Sequence, residues 1–239
     1  MVTKIMQIKE KSSCILCGST QNKVSFPYSI KFSESEFFYK RCNYCKCVFI
    51  NPIPSDDDFE KIYQNENYHE EHYVDVDLSE YEASVGLLSK YISNDDAKVL
   101  DYGCGYGHFL KALQNNKFQA EGLEFDESAS IKAEHYSGCK VYPVNKLINI
   151  EKNSFNVLHL GDVLEHLPNP LQTLKKLIGI LDTNGIIFIE GPLETNPSPV
   201  YWAAKLFGLI KKIFLQKENY GKPTHLIRVD ADTQKEFIL

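Results

Sequence analysis

The spacing of apolar residues changes period repeatedly along the chain, and each change predicts an element. Tyr81, Val85, Leu88 and Ile92 recur at intervals that place them on one face of a connecting helix. The apolar pair Val99-Leu100 runs into "DYGCGYGHFL", residues 101 to 110. Phe109, Leu110 and Leu113 then return to helical spacing, so this stretch reads as strand, glycine loop and helix. "FQAEGLEFD" reads as a second strand ending in acids, and "CKVYPVNKL" offers a short third. From Phe155 to Leu160 an apolar strand leads toward a helix start at Asn169-Pro170, and Leu171, Leu174, Leu177, Ile178 and Leu181 mark the helix itself. "DTNG" ends that helix and "IIFIEGP" forms a fifth strand. Strands alternating with helices predict an α/β fold on a doubly wound sheet.

Three glycines at alternate positions, Gly103, Gly105 and Gly107, mark backbone that takes positive φ or closely approaches a ligand. A dinucleotide fingerprint requires Gly-x-Gly-x-x-Gly, and His108 stands where its third glycine belongs. Asp101, at the end of the strand, would repel a pyrophosphate and attract a cation. S-adenosylmethionine (SAM) carries an ammonium and a sulfonium beside its carboxylate, which suits an acid combined with exposed backbone N–H groups. The stretch resembles motif I of the class I SAM-dependent methyltransferases.

That resemblance implies cofactor contacts from Asp101, Tyr102, Gly103, Gly105 and Gly107. It gives Glu124, about twenty residues past the loop, the role of accepting both ribose hydroxyls, with Phe125 as adenine neighbour. After the third strand, Asn145, Lys146 and Leu147 are the local candidates to border the adenine. "GDVLEHLPNP" resembles the family's "DVLEHL" segment, which adds Asp162 to the cofactor site and sets His166 at its mouth. The match runs from about residue 96 to 192 and implies a Rossmann-like sheet of order 3-2-1-4-5.

Four of the seven cysteines form two Cys-x-x-Cys pairs, Cys14/Cys17 and Cys42/Cys45, a pattern that completes the tetrahedral shell of a structural zinc ion. Cys47 is an alternate ligand, and a redox dithiol or metal-free thiols are the other readings. Between the pairs, "SFPYSIKFSESEFFYKR" alternates like a hairpin, and "CGS" supplies the turn of a zinc knuckle. A module this short has no core of its own, so the metal is expected to fold it. "RCNYCKCVFINPIPSDDDFEKIYQNENYH" resembles the zinc-binding segment that precedes the methyltransferase domain in a large bacterial group, including sugar C-methyltransferases and enzymes from surface-polysaccharide gene clusters. The expected division is a zinc module over 1–52, a helical linker over 53–95 and a SAM-binding domain over 96–239 with a lid-like insert at 193–222. In the linker, "YHEEHY" reads as a helix-capping loop or a cofactor cover.

Composition narrows the partners. A chain of 239 residues with 43% hydrophobic and 24% charged residues holds one full core and a small satellite. Its net charge of −6 disfavours nucleic acid, which leaves a small-molecule acceptor. No apolar run has the length of a signal or a spanning helix, so the expected location is cytoplasmic.

Methyl transfer to oxygen or carbon needs alignment and a base, for which histidine suits neutral pH. His225, in "KPTHLIRVD", resembles the family's "HL" segment and ranks slightly above His166 as candidate base; each also reads as a structural hydrogen bond, and His166 as an organiser of the SAM pocket. His159 lies inside an apolar strand and reads as core. "VYWAAKLFGLIKKIFL", residues 200 to 215, reads as a lid helix over the active site, and the same pattern suits a membrane surface or a lipid-linked acceptor.

The expected function is methyl transfer to a sugar or another small biosynthetic intermediate. The rivals are a catalytically silent zinc-containing scaffold and a nicotinamide-dependent enzyme. Thr233 and Glu236 have capping-box spacing, yet three residues remain after Glu236, and the family's closing antiparallel strand pair is missing. A shortened enzyme with an exposed fifth strand, completed by another chain or by self-association, is therefore expected.

Overall fold

The computed structural model describes residues 12–63, 76–93, 97–210 and 219–238. They belong to two units, one formed by 1–58 with 193–239 and the other by 59–192. The first begins with strands β1 (Asn22–Phe32), β2 (Ser35–Cys42) and β3 (Val48–Asn51), and helix α1 (Asp56–Tyr63) carries the chain from the first unit into the second. All three strands are antiparallel neighbours, and β1 and β2 form the predicted hairpin around Ser33, whose φ is 55°. Phe37 and Tyr39 are buried while Phe38 between them is exposed, as alternation across a pleat requires.

The second unit opens with helix α2 (Ser79–Leu88), followed by strand β4 (Lys98–Tyr102), helix α3 (His108–Asn115) and strand β5 (Gln119–Glu124). Helix α4 (Glu127–Ser137), strands β6 (Lys140–Pro143) and β7 (Phe155–Gly161), helix α5 (Pro170–Ile178) and strand β8 (Leu181–Glu190) complete it. The strands are all parallel in the order β6-β5-β4-β7-β8, which is the predicted 3-2-1-4-5. Val85 and Leu88 of α2 join Val99, Phe109, Leu113 and Val157 in one core cluster, with Tyr81 and Ile92 packed against it. Leu110, Ala133 and Val141 belong to a second cluster. Residues buried on both faces explain why β4 and β7 read as near-continuous apolar runs.

One turn signal proves to lie inside a strand. Helix α5 stops at Ile178, where Gly179 and Ile180 donate i→i+3 bonds to Lys176 and Leu177, so Leu181 opens β8 instead of closing the helix. The register then jumps from Phe155↔Leu181 to Val157↔Ile186, which places "DTNG" in a bulge. Strand β8 ends the sheet, with no described strand on its far side, and none of its residues is buried.

The rest of the chain groups differently from the predicted 96–239 domain. Helix α6 (Pro199–Ile210) packs on β1, and strand β9 (Ile227–Arg228) pairs with β3 through Val48↔Arg228 and Phe49↔Ile227. Leu226 and Ile227 are both buried. The lid-like insert and His225 therefore belong to the cysteine-bearing unit. A two-residue strand has no period to reveal it beforehand. Helix α7 (Ala231–Ile238) starts earlier than predicted, because Asp230 rather than Thr233 caps it and accepts the Thr233 N–H at 2.9 Å. The "YHEEHY" cluster and residues 211–215 of the predicted helix lie outside the described residues.

The loop after β4 tests whether backbone shape limits stability. Gly107 has φ 82°, and a Cβ there would sit 2.9 Å from the Ala133 carbonyl oxygen. Gly107→Ala should lower the unfolding free energy by about 2 kcal/mol or more in urea denaturation. Gly86→Ala, within α2 and with nothing inside 4 Å of the added Cβ, should raise it by up to ~1 kcal/mol.

Candidate functional site

The carboxyl ends of β4, β5, β7 and β8 gather the polar groups of the second unit, as expected where a parallel sheet binds ligands. Gly103, Gly105 and Gly107 have φ of 82°, 53° and 82°, and a Cβ on Gly103 would meet Val163 Cγ2 at 2.6 Å. The loop is pinned from within. Gly103 N–H donates to the Leu123 carbonyl at 2.7 Å and Gly107 N–H to that of Cys104 at 2.9 Å. Gly105 N–H donates to Glu124 Oε2 at 2.7 Å, while Glu124 Oε1 accepts from Phe125 N at 2.7 Å and Asp126 N at 3.1 Å. These amides, expected to be exposed for a ligand, are satisfied by the protein because so tight a turn buries them and buried N–H groups need partners.

Asp101 is buried, with Oδ1 2.7 Å from His159 Nδ1. His159 Nε2 lies 3.2 Å from Glu190 Oε2, and Glu190 Oε1 accepts the Ser84 hydroxyl of α2 at 2.7 Å. Register explains the meeting: Asp101 on β4 pairs with His159 on β7, and His159 with Phe188 on β8. The Phe109 ring lies 3.8 Å from the imidazole and that of Phe188 5.4 Å. Burial alone would pull the His159 pKa down; Asp101 and Glu190 outweigh it and hold it at about 9. Glu190 is held below the usual carboxylate range, chiefly by its hydrogen bond from His159. His159 is therefore a core residue, as read from the sequence, and also the cation of a buried triad that the sequence did not reveal.

Tyr102 is buried edge-on to Phe125, with ring centroids 5.8 Å apart, and burial pushes its phenol up to about 12. Phe125 itself is 61% exposed beside Glu124, open to a stacking partner. Asp162, exposed after β7, takes the left-handed region at φ 51° and donates its N–H to the Glu190 carbonyl at 3.0 Å. Asn145 and Lys146 are exposed in the 3₁₀ turn Val144–Asn149, which also holds Leu147. His166 closes a second such turn, Leu164–His166, and is half-buried. His225, in the first unit, has Nδ1 3.0 Å from Glu194 Oε2, and Arg228 holds the other Glu194 oxygen at 3.2 Å. Glu194, absent from the sequence reading, holds the His225 ring through Nδ1.

In the same unit the sulfurs of Cys14, Cys17, Cys42 and Cys45 all lie within 4.8 Å of one another. Gly18, with φ 74°, donates to the Cys14 carbonyl at 2.8 Å and forms the expected knuckle turn. Cys47 Sγ sits 3.4 Å from both Cys14 and Cys45. Hydrogen bonds from Cys45 and Cys47 bring Cys14 down to about 5, whereas the same contacts push Cys47 up. Two turns thus converge four thiols in a cluster suited to a metal ion.

Sheet order, glycine loop and strand-end acids define a Rossmann-like class I methyltransferase architecture. A family model described as "Methyltransferase domain" matches residues 71–220, more than half of the chain, and the chain belongs to that family. A ubiquinone biosynthesis O-methyltransferase of Idiomarina loihiensis is 25% identical over 145 residues, covering 55% of this chain and 58% of that protein. Another so named, from Bordetella bronchiseptica, is 28% identical over 113 residues, covering 44% and 46%. The chain thus spans about half the length of the curated relatives it matches. The crystal structure of a SAM dependent methyltransferase from Archaeoglobus fulgidus is similar in fold, with a TM-score of 0.50 and 22% identity over 68% of this chain and 67% of that one. Among the described residues, no helix is long and apolar enough to cross a membrane.

The triad has a pH signature. His159 is raised above the ~6.5 of a free imidazole, so its stabilisation is complete below about pH 6.5 and is lost as pH rises through about 9. On the order of 3 kcal/mol is involved. Urea unfolding between pH 6.5 and 9.5 should show that loss in the wild type and a flattened profile in His159→Gln; identical slopes would place the proton elsewhere.

Proposed function

We propose that the protein transfers a methyl group from SAM to an oxygen or carbon of a sugar or another small biosynthetic intermediate in the cytoplasm. One observation carries this reading: a left-handed glycine loop over the strand ends, bounded by Asp101 on one side and Glu124 on the other. Glycine shape leaves room for a ligand against the backbone, and the two acids suit the ammonium and ribose ends of SAM. Each has its protein partners, but a carboxylate oxygen accepts more than one hydrogen bond. Tyr102, Phe125, Asn145 and Asp162 would complete the binding surface. SAM supplies an activated methyl group on sulfur, so the protein's work is alignment, exclusion of water and proton removal.

His225 is the better candidate base, since Glu194 orients its ring, and His166 is the second. The relatives' names favour oxygen as acceptor; the sugar class rests on the likeness of the cysteine segment to zinc modules of polysaccharide enzymes. Cys14, Cys17, Cys42 and Cys45 would hold one structural zinc ion, a closed tetrahedral shell that activates no water.

Calorimetry with SAM, S-adenosylhomocysteine and NAD tests the reading. Binding of the first two and not the third is expected; binding of none would favour a silent scaffold. Asp101→Asn and Glu124→Gln should each weaken SAM by roughly 1.5–3 kcal/mol, about tenfold or more. Metal analysis should find about one zinc per chain, and Cys14→Ser should disorder the amino-terminal hairpin. With an acceptor in hand, His225→Gln should lower kcat by about 10²–10⁴ while leaving SAM affinity intact, and a variant with full turnover would shift the role of base to His166.

A further inference from the structure

Helix α6 presents an apolar surface that its own unit does not cover. Tyr201, Lys205 and Gly208, spaced as one helical face, are its partly buried positions. Tyr201 lies edge-on to Phe26 of β1 at 6.4 Å, and a Cβ on Gly208 would meet the Phe26 ring at 2.7 Å, so this is the face that seats the helix. Around the rest of the cylinder Val200, Trp202, Leu206, Phe207, Leu209 and Ile210 are exposed, with Phe207 at 66%. A helix apolar almost all round, yet anchored on one stripe, exposes an apolar patch of a kind that marks an interaction site.

Charge selects the occupant. Residues 195–217 contain Lys205, Lys211, Lys212 and Lys217 and no acid, within a chain of net charge −6. Lys205 Nζ lies 4.9 Å from the Trp202 ring, so a cation accompanies the aromatic surface. A second copy would bring a segment of the same positive charge, and like charges would oppose the contact. The 12 described residues of the helix extend about 18 Å, against a hydrocarbon core of ~30 Å. Tryptophan, phenylalanine and leucine next to lysines match a helix that lies in the headgroup region of an anionic bilayer.

We propose that α6 docks this protein on membrane surfaces carrying anionic lipid, with Trp202, Leu206 and Phe207 entering the interface and Lys205 engaging the headgroups. This attachment is independent of the proposed methyl transfer.

Trp202 is the chain's single tryptophan, which makes it a native reporter. The 239-residue protein is mixed with phosphatidylcholine vesicles with and without phosphatidylglycerol, and read by co-sedimentation and tryptophan emission. Phosphatidylglycerol vesicles should sediment the protein and shift the emission to the blue, both weakened by added salt. Leu206→Glu/Phe207→Glu should bind at least about tenfold more weakly with an unchanged circular dichroism spectrum, whereas Ile131→Glu, on exposed α4 surface, should bind as wild type. Wild-type protein that neither sediments nor shifts would overturn the proposal. So would equal binding to both vesicle types, binding that survives the double substitution, or lipid-free self-association that the double substitution abolishes, since the last assigns the patch to a second copy.

Discussion

Three ionisable side chains bond to one another across three adjacent strands of the parallel sheet, and much of the second unit is arranged to keep them there. Asp101, His159 and Glu190 come from adjacent strands β4, β7 and β8, and Ser84 adds α2 from another layer. An imidazolium buried between phenylalanine rings is costly unless both nitrogens have anionic partners, so a slip of one residue in either strand pairing would strand a charge. Apolar residues of similar volume would be easier to bury. What the triad adds is specificity of register, with a polar group left at the ligand end of the sheet.

Glu124 acts on the other flank by a different route. It accepts one N–H from the loop and two from the start of its own following turn, so β5 and the loop after β4 are tied through one side chain. Asp101 and Glu124 thus have structural duties besides the binding roles proposed for them. An acid held by the scaffold is already oriented when a ligand arrives, which removes part of the ordering cost of binding. The same coupling means that loss of either carboxylate acts through loop position as well as through direct contact, and the neutral isosteres Asn and Gln separate the two better than alanine does.

Much of this was legible in the sequence where one rule acted alone. Five strands, the glycine turn and the Asn169-Pro170 helix start follow from period and positive-φ chemistry, and each lies within a few residues of the observed element. The misses share a cause, which is competition between local signals and distant partners. "DTNG" has the composition of a turn, and pairing of β8 with β7 carries it as a bulge. Thr233 has capping-box spacing, but Asp230 stands nearer the point where β9 ends. His159 looked like core because a lone histidine among apolar residues carries no mark of its partners. Only the register of β4, β7 and β8 brings them within reach, and no spacing along the chain encodes it. Glu194 escaped notice for the same reason.

The amino-terminal unit shows why so distant a segment belongs to it. Strands β1 to β3 make a small sheet whose apolar face, built on Phe37, Tyr39 and Ile50, exceeds what a hairpin and one added strand can cover. Two devices close it. At one end the cysteine turns converge, with Asn22 of β1 paired to Cys42 of β2 beside them. At the edge, β9 lies on β3, and α6 packs along β1 through Phe26. The helix proposed to meet a membrane is therefore held by a sheet that the cysteine cluster organises. A stable seat matters for such a helix, because a patch of exposed aromatic residues on a loose segment would collapse onto its own protein. Anchoring Tyr201 and Gly208 against β1 keeps Trp202, Leu206 and Phe207 turned outward, and the apolar surface stays available because its opposite stripe is already satisfied.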